Sequence, residues 1–153
     1  MSNRKAVATE NAPSVGATCM CLHLQRAARA VARKFDDAFR PLGLTSGQFS
    51  LMMSLYRVEA RSIGSAASIL AMDRTTLTAN LKPLVRRRLL KVGVDPDDKR
   101  SRRLSLTPAG RALLESALPV WKRTHAEVDR LLGRSSPDRL RDDLRALSRG
   151  ESP

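Results

Sequence analysis

Aromatic side chains are scarce in this 153-residue chain, which holds three Phe, one Tyr and one Trp. Proteins that read unpaired bases usually stack them on aromatic rings, so an RNA- or ribosome-binding role is disfavoured. Only two histidines are present, and the sequence lacks a G-x-S-x-G turn, a phosphate-binding glycine loop and a pair of acids in an apolar setting. Covalent chemistry on a substrate has no visible machinery here, and the chain reads as a non-enzyme without a cofactor. Cys19 and Cys21, the only two cysteines, make no framework for a secreted disulfide domain, which fits a reducing compartment. No apolar run approaches the roughly 20 residues of a membrane span, and the first residues lack the apolar core of a secretory signal. A cytoplasmic protein without a membrane partner is expected.

Positive charge, by contrast, is plentiful. Lys and Arg number 28 against 15 acids, a net +13, while 42% of residues are hydrophobic. That apolar share and length suit one folded domain with its own core rather than a disordered basic tail. Between Arg74 and Arg103 lie ten bases against three acids, so +7 of the net +13 falls in thirty residues. A focused positive surface selects polyanionic partners.

Residues 1–16 are polar, with Pro13 and Gly16, and read as a disordered lead-in. From Ala17 to about Arg40, Leu24, Ala28, Val31, Phe35 and Ala38 recur at helical spacing, predicting one long amphipathic helix ended near Pro41 and Gly43. Thr45 and Gln48 stand in capping-box spacing before a second helix, Ser46 to Glu59, with Phe49, Met52, Met53 and Tyr56 inward. Ser62 is placed to cap a short helix through Leu70; Ala71 and Met72 turn the chain, and Asp73 caps the next helix, Arg74 to about Arg87. Two capped helices joined by such a turn are the helix-turn-helix pattern. Leu89 to Val94 and Arg102 to Leu106 then read as two strands about the turn D-P-D-D-K-R-S, a β-hairpin wing. Thr107-Pro108 and Ser136-Pro137 start two further helices, to about Leu132 and Ser148. No internal repeat is present. The fold class is mostly α with a small β-wing.

A helix fits the major groove of B-DNA and reads base edges with short polar or apolar groups near its N-terminus. Thr75, Thr76, Thr78 and Asn80 suit base or sugar-phosphate contact, and Arg74 and Lys82 suit phosphate. At the wing, Lys99 and Arg100 are free to enter a minor groove, with Arg102 among the bases that meet phosphate. Double-stranded DNA is the expected partner; a winged helix serving only protein contacts is the alternative.

Three segments, L-T-S-G-Q-F-S-L-M-M-S-L, M-D-R-T-T-L-T-A-N-L-K-P-L and D-P-D-D-K-R-S-R-R-L-S-L-T-P-A-G, resemble the MarR family of winged helix-turn-helix regulators. The resemblance covers residues 17–148 and implies dimerisation helices over 17–44 and 108–148 around a DNA-binding lobe at 45–107. It implies a homodimeric repressor reading a pseudo-palindrome, with Arg100 in the minor groove and Asp98 helping to hold it. It also implies a small-molecule effector, aromatic or carboxylate, between the dimer helices and the lobe. Arg88 stands where the family usually has a glycine, and Pro83 inside the recognition helix implies a bend or gap near Ala79.

Effector candidates are His23, Arg26, Met53 and Tyr56, the arginine able to grip a carboxylate with both nitrogens. Cys21, 24 positions before Thr45, resembles the reactive cysteine of the family's hydroperoxide-sensing branch. That branch tunes its thiolate with tyrosines, whereas the matching positions here are Gln25, Phe35 and Phe49. A thiol switch at Cys21 is the alternative to a bound effector. Cys19, Cys21 and His23 are spaced to converge on a strand rather than a helix, so no metal site is expected.

Overall fold

The computed structural model describes residues 12–149. Numbered in chain order, its elements are α1 (Ala12–Thr18), α2 (Met20–Phe39), a 3-10 turn (Arg40–Leu42), α3 (Ser46–Ser54), β1 (Arg61–Ser62), α4 (Ile63–Ile69), α5 (Arg74–Arg86), β2 (Leu90–Val94), β3 (Arg102–Leu106), α6 (Pro108–Leu131) and α7 (Pro137–Arg149).

The N-terminal helix is split where one was expected. Ala12–Thr18 is helical rather than unstructured, and residues 1–11 of the anticipated lead-in lie outside the described residues. Cys19 separates α1 from α2: its backbone is extended, and its Sγ accepts the Leu22 N–H at 3.5 Å as an N-cap. α3 ends at Ser54 rather than Glu59, because Leu55, Tyr56 and Val58 donate to carbonyls three residues back and draw the chain into tight turns.

Side-chain caps begin each helix of the central lobe as their spacing requires. Thr45 and Gln48 close a reciprocal box, Ser62 accepts from Ser65 N–H, and Asp73 accepts from Thr76 N–H at 2.8 Å. Leu51, Met52 and Leu55 around α3, Leu77 and Leu84 of α5, Leu90, Leu104 and Leu114 are fully buried, and Phe39 stacks on Phe49 with ring centroids 4.7 Å apart. This core fixes α5 and the wing relative to one another.

The wing is not a lone hairpin. β1 pairs antiparallel with β3 (Arg61 opposite Leu104, Ser62 opposite Arg103), giving a three-stranded sheet in the order β1-β3-β2. β3 is thereby protected as a central strand instead of an open edge.

Both turns flanking α5 carry a non-glycine residue in the left-handed region, Ala71 at φ 49° and Arg88 at φ 58°. At the second, Arg88 N–H bonds to Val85 carbonyl and Leu89 N–H to Leu84 carbonyl, the double bond pattern that closes a helix through a left-handed residue. Helices α5 and α6 run unbroken through Pro83 and Pro119. Pro83 has no N–H to offer the Ala79 carbonyl, which is the local consequence of the proline.

Thr107 welds the wing's exit to the end of α5. Its hydroxyl donates toward the Arg88 carbonyl (2.8 Å), with the Leu89 carbonyl at 3.1 Å, and accepts the Gly110 N–H. A β-carbon at Gly110 would lie 2.0 Å from the Leu89 carbonyl oxygen, so this helix start admits only glycine.

Candidate nucleic-acid interface

The exposed face of α5 is a stripe of Arg74, Thr75, Thr78, Ala79 and Lys82, which line one shallow groove. Arg74 and Thr78 also border a cleft with Arg100, Ser101 and Arg102 of the wing and Ser62, Ile63 and Gly64 at the start of α4. Residues far apart in sequence thus converge on one basic concavity. Ser62 was legible as a helix cap, but the place of the α4 start in this cleft was not, because its three small and apolar residues carry no charge.

Two polar residues of the recognition helix are turned to structural work. The Thr76 hydroxyl donates to Asp73 Oδ2 at 2.7 Å; the Thr76 backbone N–H first, and this hydroxyl after it, hold the Asp73 carboxyl below the usual range. Asn80 Nδ2 donates to the Thr76 carbonyl at 3.0 Å, and the Asn80 amide sits against Gly47, where a β-carbon would lie 2.8 Å from its Oδ1. Thr78 remains exposed, its hydroxyl donating to the Arg74 carbonyl at 2.7 Å.

The wing's three acids divide into separate tasks. Asp95 is buried; its carboxylate accepts Asp97 N–H (3.0 Å) and Arg103 Nε (2.7 Å). The Asp97 N–H first, and the Arg103 guanidinium after it, hold that carboxyl below its ordinary pKa against the opposing effect of burial. Asp98 does not pair with the Arg100 side chain. It accepts the Arg100 backbone N–H and the Ser101 hydroxyl, both at 2.9 Å, and so shapes the tip. Lys99 and Arg100 project from that tip exposed and outside every ion pair among the described residues, while Arg102 bonds the Lys99 carbonyl at 3.1 Å. Not every base of the cluster is free, however. Arg87 spends its guanidinium on the Gly43 and Leu42 carbonyls (2.5 and 3.2 Å), tying the end of α5 to the corner between α2 and α3.

No family model and no curated protein sequence matches the chain. Solved structures do. The M. tuberculosis transcriptional regulator MosR, solved in complex with DNA, is 35% identical, with 86% of this chain and 95% of that one covered at a TM-score of 0.77. CouR, a transcriptional repressor bound to a 23-mer DNA duplex, is 32% identical over 84% and 92% of the two chains at 0.74. The chain belongs to the MarR family of transcriptional regulators. Bordetella bronchiseptica BpsR, whose DNA binding is regulated by 6-hydroxynicotinic acid, is similar at 27% identity over 84% and 96% at a TM-score of 0.68.

Within this MarR-family chain the four effector candidates do not meet. An apolar cleft opens between α3, α4 and α6, lined by Phe49, Met53, Ile69, Leu70, Leu118 and Trp121 with Ser50 and Ser54. Met53 alone of the four borders it. Tyr56 lies outside, its hydroxyl donating to Glu115 while Arg111 stacks over its ring. His23 Nε2 lies 2.9 Å from the Ala17 carbonyl, and Arg26 shares an exposed face of α2 with Arg29 and Arg33. Helical spacing could not reveal this, since the cleft draws on three separated elements.

Cys21 is exposed and its Sγ receives Gln25 Nε2–H at 3.3 Å. Among the described residues no cluster of three metal-ligating side chains occurs, and no helix is long and apolar enough to cross a membrane.

Proposed function

We propose that the protein is a cytoplasmic, homodimeric repressor that binds a pseudo-palindromic operator in duplex DNA and is released by a small effector. The convergence of Arg74, Thr78, Arg100 and Arg102 on one cleft beside the exposed face of α5 carries this reading. In it, Arg74 and Lys82 meet phosphates at either end of the recognition stripe, Thr75 and Thr78 face the major groove, and Lys99 and Arg100 reach an adjoining minor groove. Thr76, Asn80 and Asp98 support that surface through their bonds to Asp73, to the Thr76 carbonyl and to the wing tip. Two copies are needed for a palindrome, and exposed Leu140, Leu144 and Leu147 on α7 supply an apolar face for the second.

Anisotropy on duplexes enriched from a random library tests this. Affinity should fall steeply with salt through counterion release, and Arg100→Ala and Arg74→Ala should each weaken binding. Salt-insensitive or unchanged affinity would instead favour a winged helix that serves protein contacts.

For the effector, the α3–α4–α6 cleft is apolar with two serine hydroxyls at its edge, which suits a small aromatic ring bearing a polar group. Titrating aromatic carboxylates, 6-hydroxynicotinic acid among them, into the DNA complex of wild type and Met53→Trp tests it: release by one of them, lost in the filled variant, is expected. A thiol switch is the second reading, favoured by the exposure of Cys21 and its amide donor. Organic hydroperoxide should then release DNA from wild type and not from Cys21→Ser.

A further inference from the structure

The middle of the recognition stripe is poor in hydrogen-bond donors. Thr78 has given its hydroxyl proton to the Arg74 carbonyl and Thr76 its own to Asp73, while Asn80, the one amide on α5, is occupied by the Thr76 carbonyl and crowded against Gly47. Bidentate reading of adenine by an amide is therefore closed to this surface, and its two cations, Arg74 and Lys82, stand at the ends of the stripe rather than at its centre. Between them, the groups left to face a base edge are the β-carbon of Ala79, the exposed side chain of Thr75 with its hydroxyl and methyl, and Thr78, whose hydroxyl proton is already given away. Ala79 is exposed at the centre of this stripe, with Thr75 four residues before it and Thr78 beside it.

Each base pair offers the major groove hydrogen-bonding groups, but only thymine offers a methyl. We infer that Ala79, flanked by Thr75 and Thr78, is a specificity-determining residue that recognises a thymine C5-methyl group. Sequence discrimination at the centre of the recognition helix is then apolar, and the donors and cations around it position the helix. This rests on the duplex-DNA reading above.

Deoxyuridine removes the thymine methyl and leaves base pairing intact, so it isolates the contact. Full-length protein is used to enrich a duplex from a random library, and each thymine of that duplex is replaced in turn by deoxyuridine. Wild type should lose about threefold to fivefold in affinity at one or more positions, the factor expected for one buried methyl. In Ala79→Gly, which removes the β-carbon, the thymine and deoxyuridine duplexes should bind equally at that position; in Ala79→Ser, which keeps the β-carbon but sets a hydroxyl against the methyl, the preference should shrink. Because the ratio is taken within one protein, any loss of fold or helix stability cancels. Wild-type affinity within twofold at every substituted thymine, or a full thymine preference retained in both Ala79 variants, overturns the inference while leaving DNA binding intact. Failure to enrich any duplex overturns the DNA-binding reading and this inference together.

Discussion

Between Thr45 and Thr107, α3, α4 and α5 each begin on a side-chain cap, and the lobe's large leucines lie at or near zero exposure; α7 has no buried residue and shows Leu140, Leu144 and Leu147 at 39%, 37% and 56%. α7 is held to α6 mainly by charge, Arg141 Nη2 sitting 2.7 Å from both Asp129 oxygens. The lobe thus completes its core within one chain, whereas the last helix leaves apolar surface uncovered, the face assigned above to a second copy in the proposed homodimer.

Breaking the outer face should have the largest effect on assembly. Replacing Leu140, Leu144 and Leu147 together by Ser should abolish self-association in sedimentation equilibrium and leave the helix content of the lobe by circular dichroism; a variant that still dimerises would erase the contrast. Within the lobe, Leu77→Ala opens a cavity beneath the recognition helix, at a cost of about 2–5 kcal/mol in urea unfolding.

Smaller effects would distinguish the bases proposed to meet DNA from those that only brace α5. Arg100→Ala should weaken operator binding and lower the salt slope by about one, as loss of one phosphate-range cation does. Arg87→Ala should weaken binding with the slope unchanged, because its guanidinium is committed to the Leu42 and Gly43 carbonyls. A slope change there would make Arg87 a DNA contact.

Asp95 adds a pH signature. Its folded carboxyl is more acidic than in the unfolded chain, so its contribution is complete at neutral pH and is lost as pH falls below about 4 through the lowered folded value. Asp95→Asn should flatten that part of the stability profile in thermal scans. Smallest of all, Arg88→Gly and Ala71→Gly should each raise stability by about 1 kcal/mol, since both residues sit in the left-handed region.

These contrasts track what the sequence made legible. Caps are local and obey short spacings, so Thr45, Ser62, Asp73, Thr107 and Ser136 marked their helices correctly. The left-handed strain at Arg88 was readable for the same reason. Long-range partners were not: Arg87 reaches a turn 44 residues away, and β1 is only two residues long with no alternation to announce it. Asp95 and Arg103 looked like two more members of a charge run until the hairpin brought them together across eight residues. The effector candidates failed to assemble because a helical stripe says nothing of which neighbour closes over it.

Gly110 has a mechanical consequence. With no room for even one carbon between α6 and the Leu89 carbonyl, the long helix and the tail of the recognition helix share a fulcrum there. A lean of α6 would therefore press directly on the segment that follows α5, and Gly110→Ala should shift the two against each other.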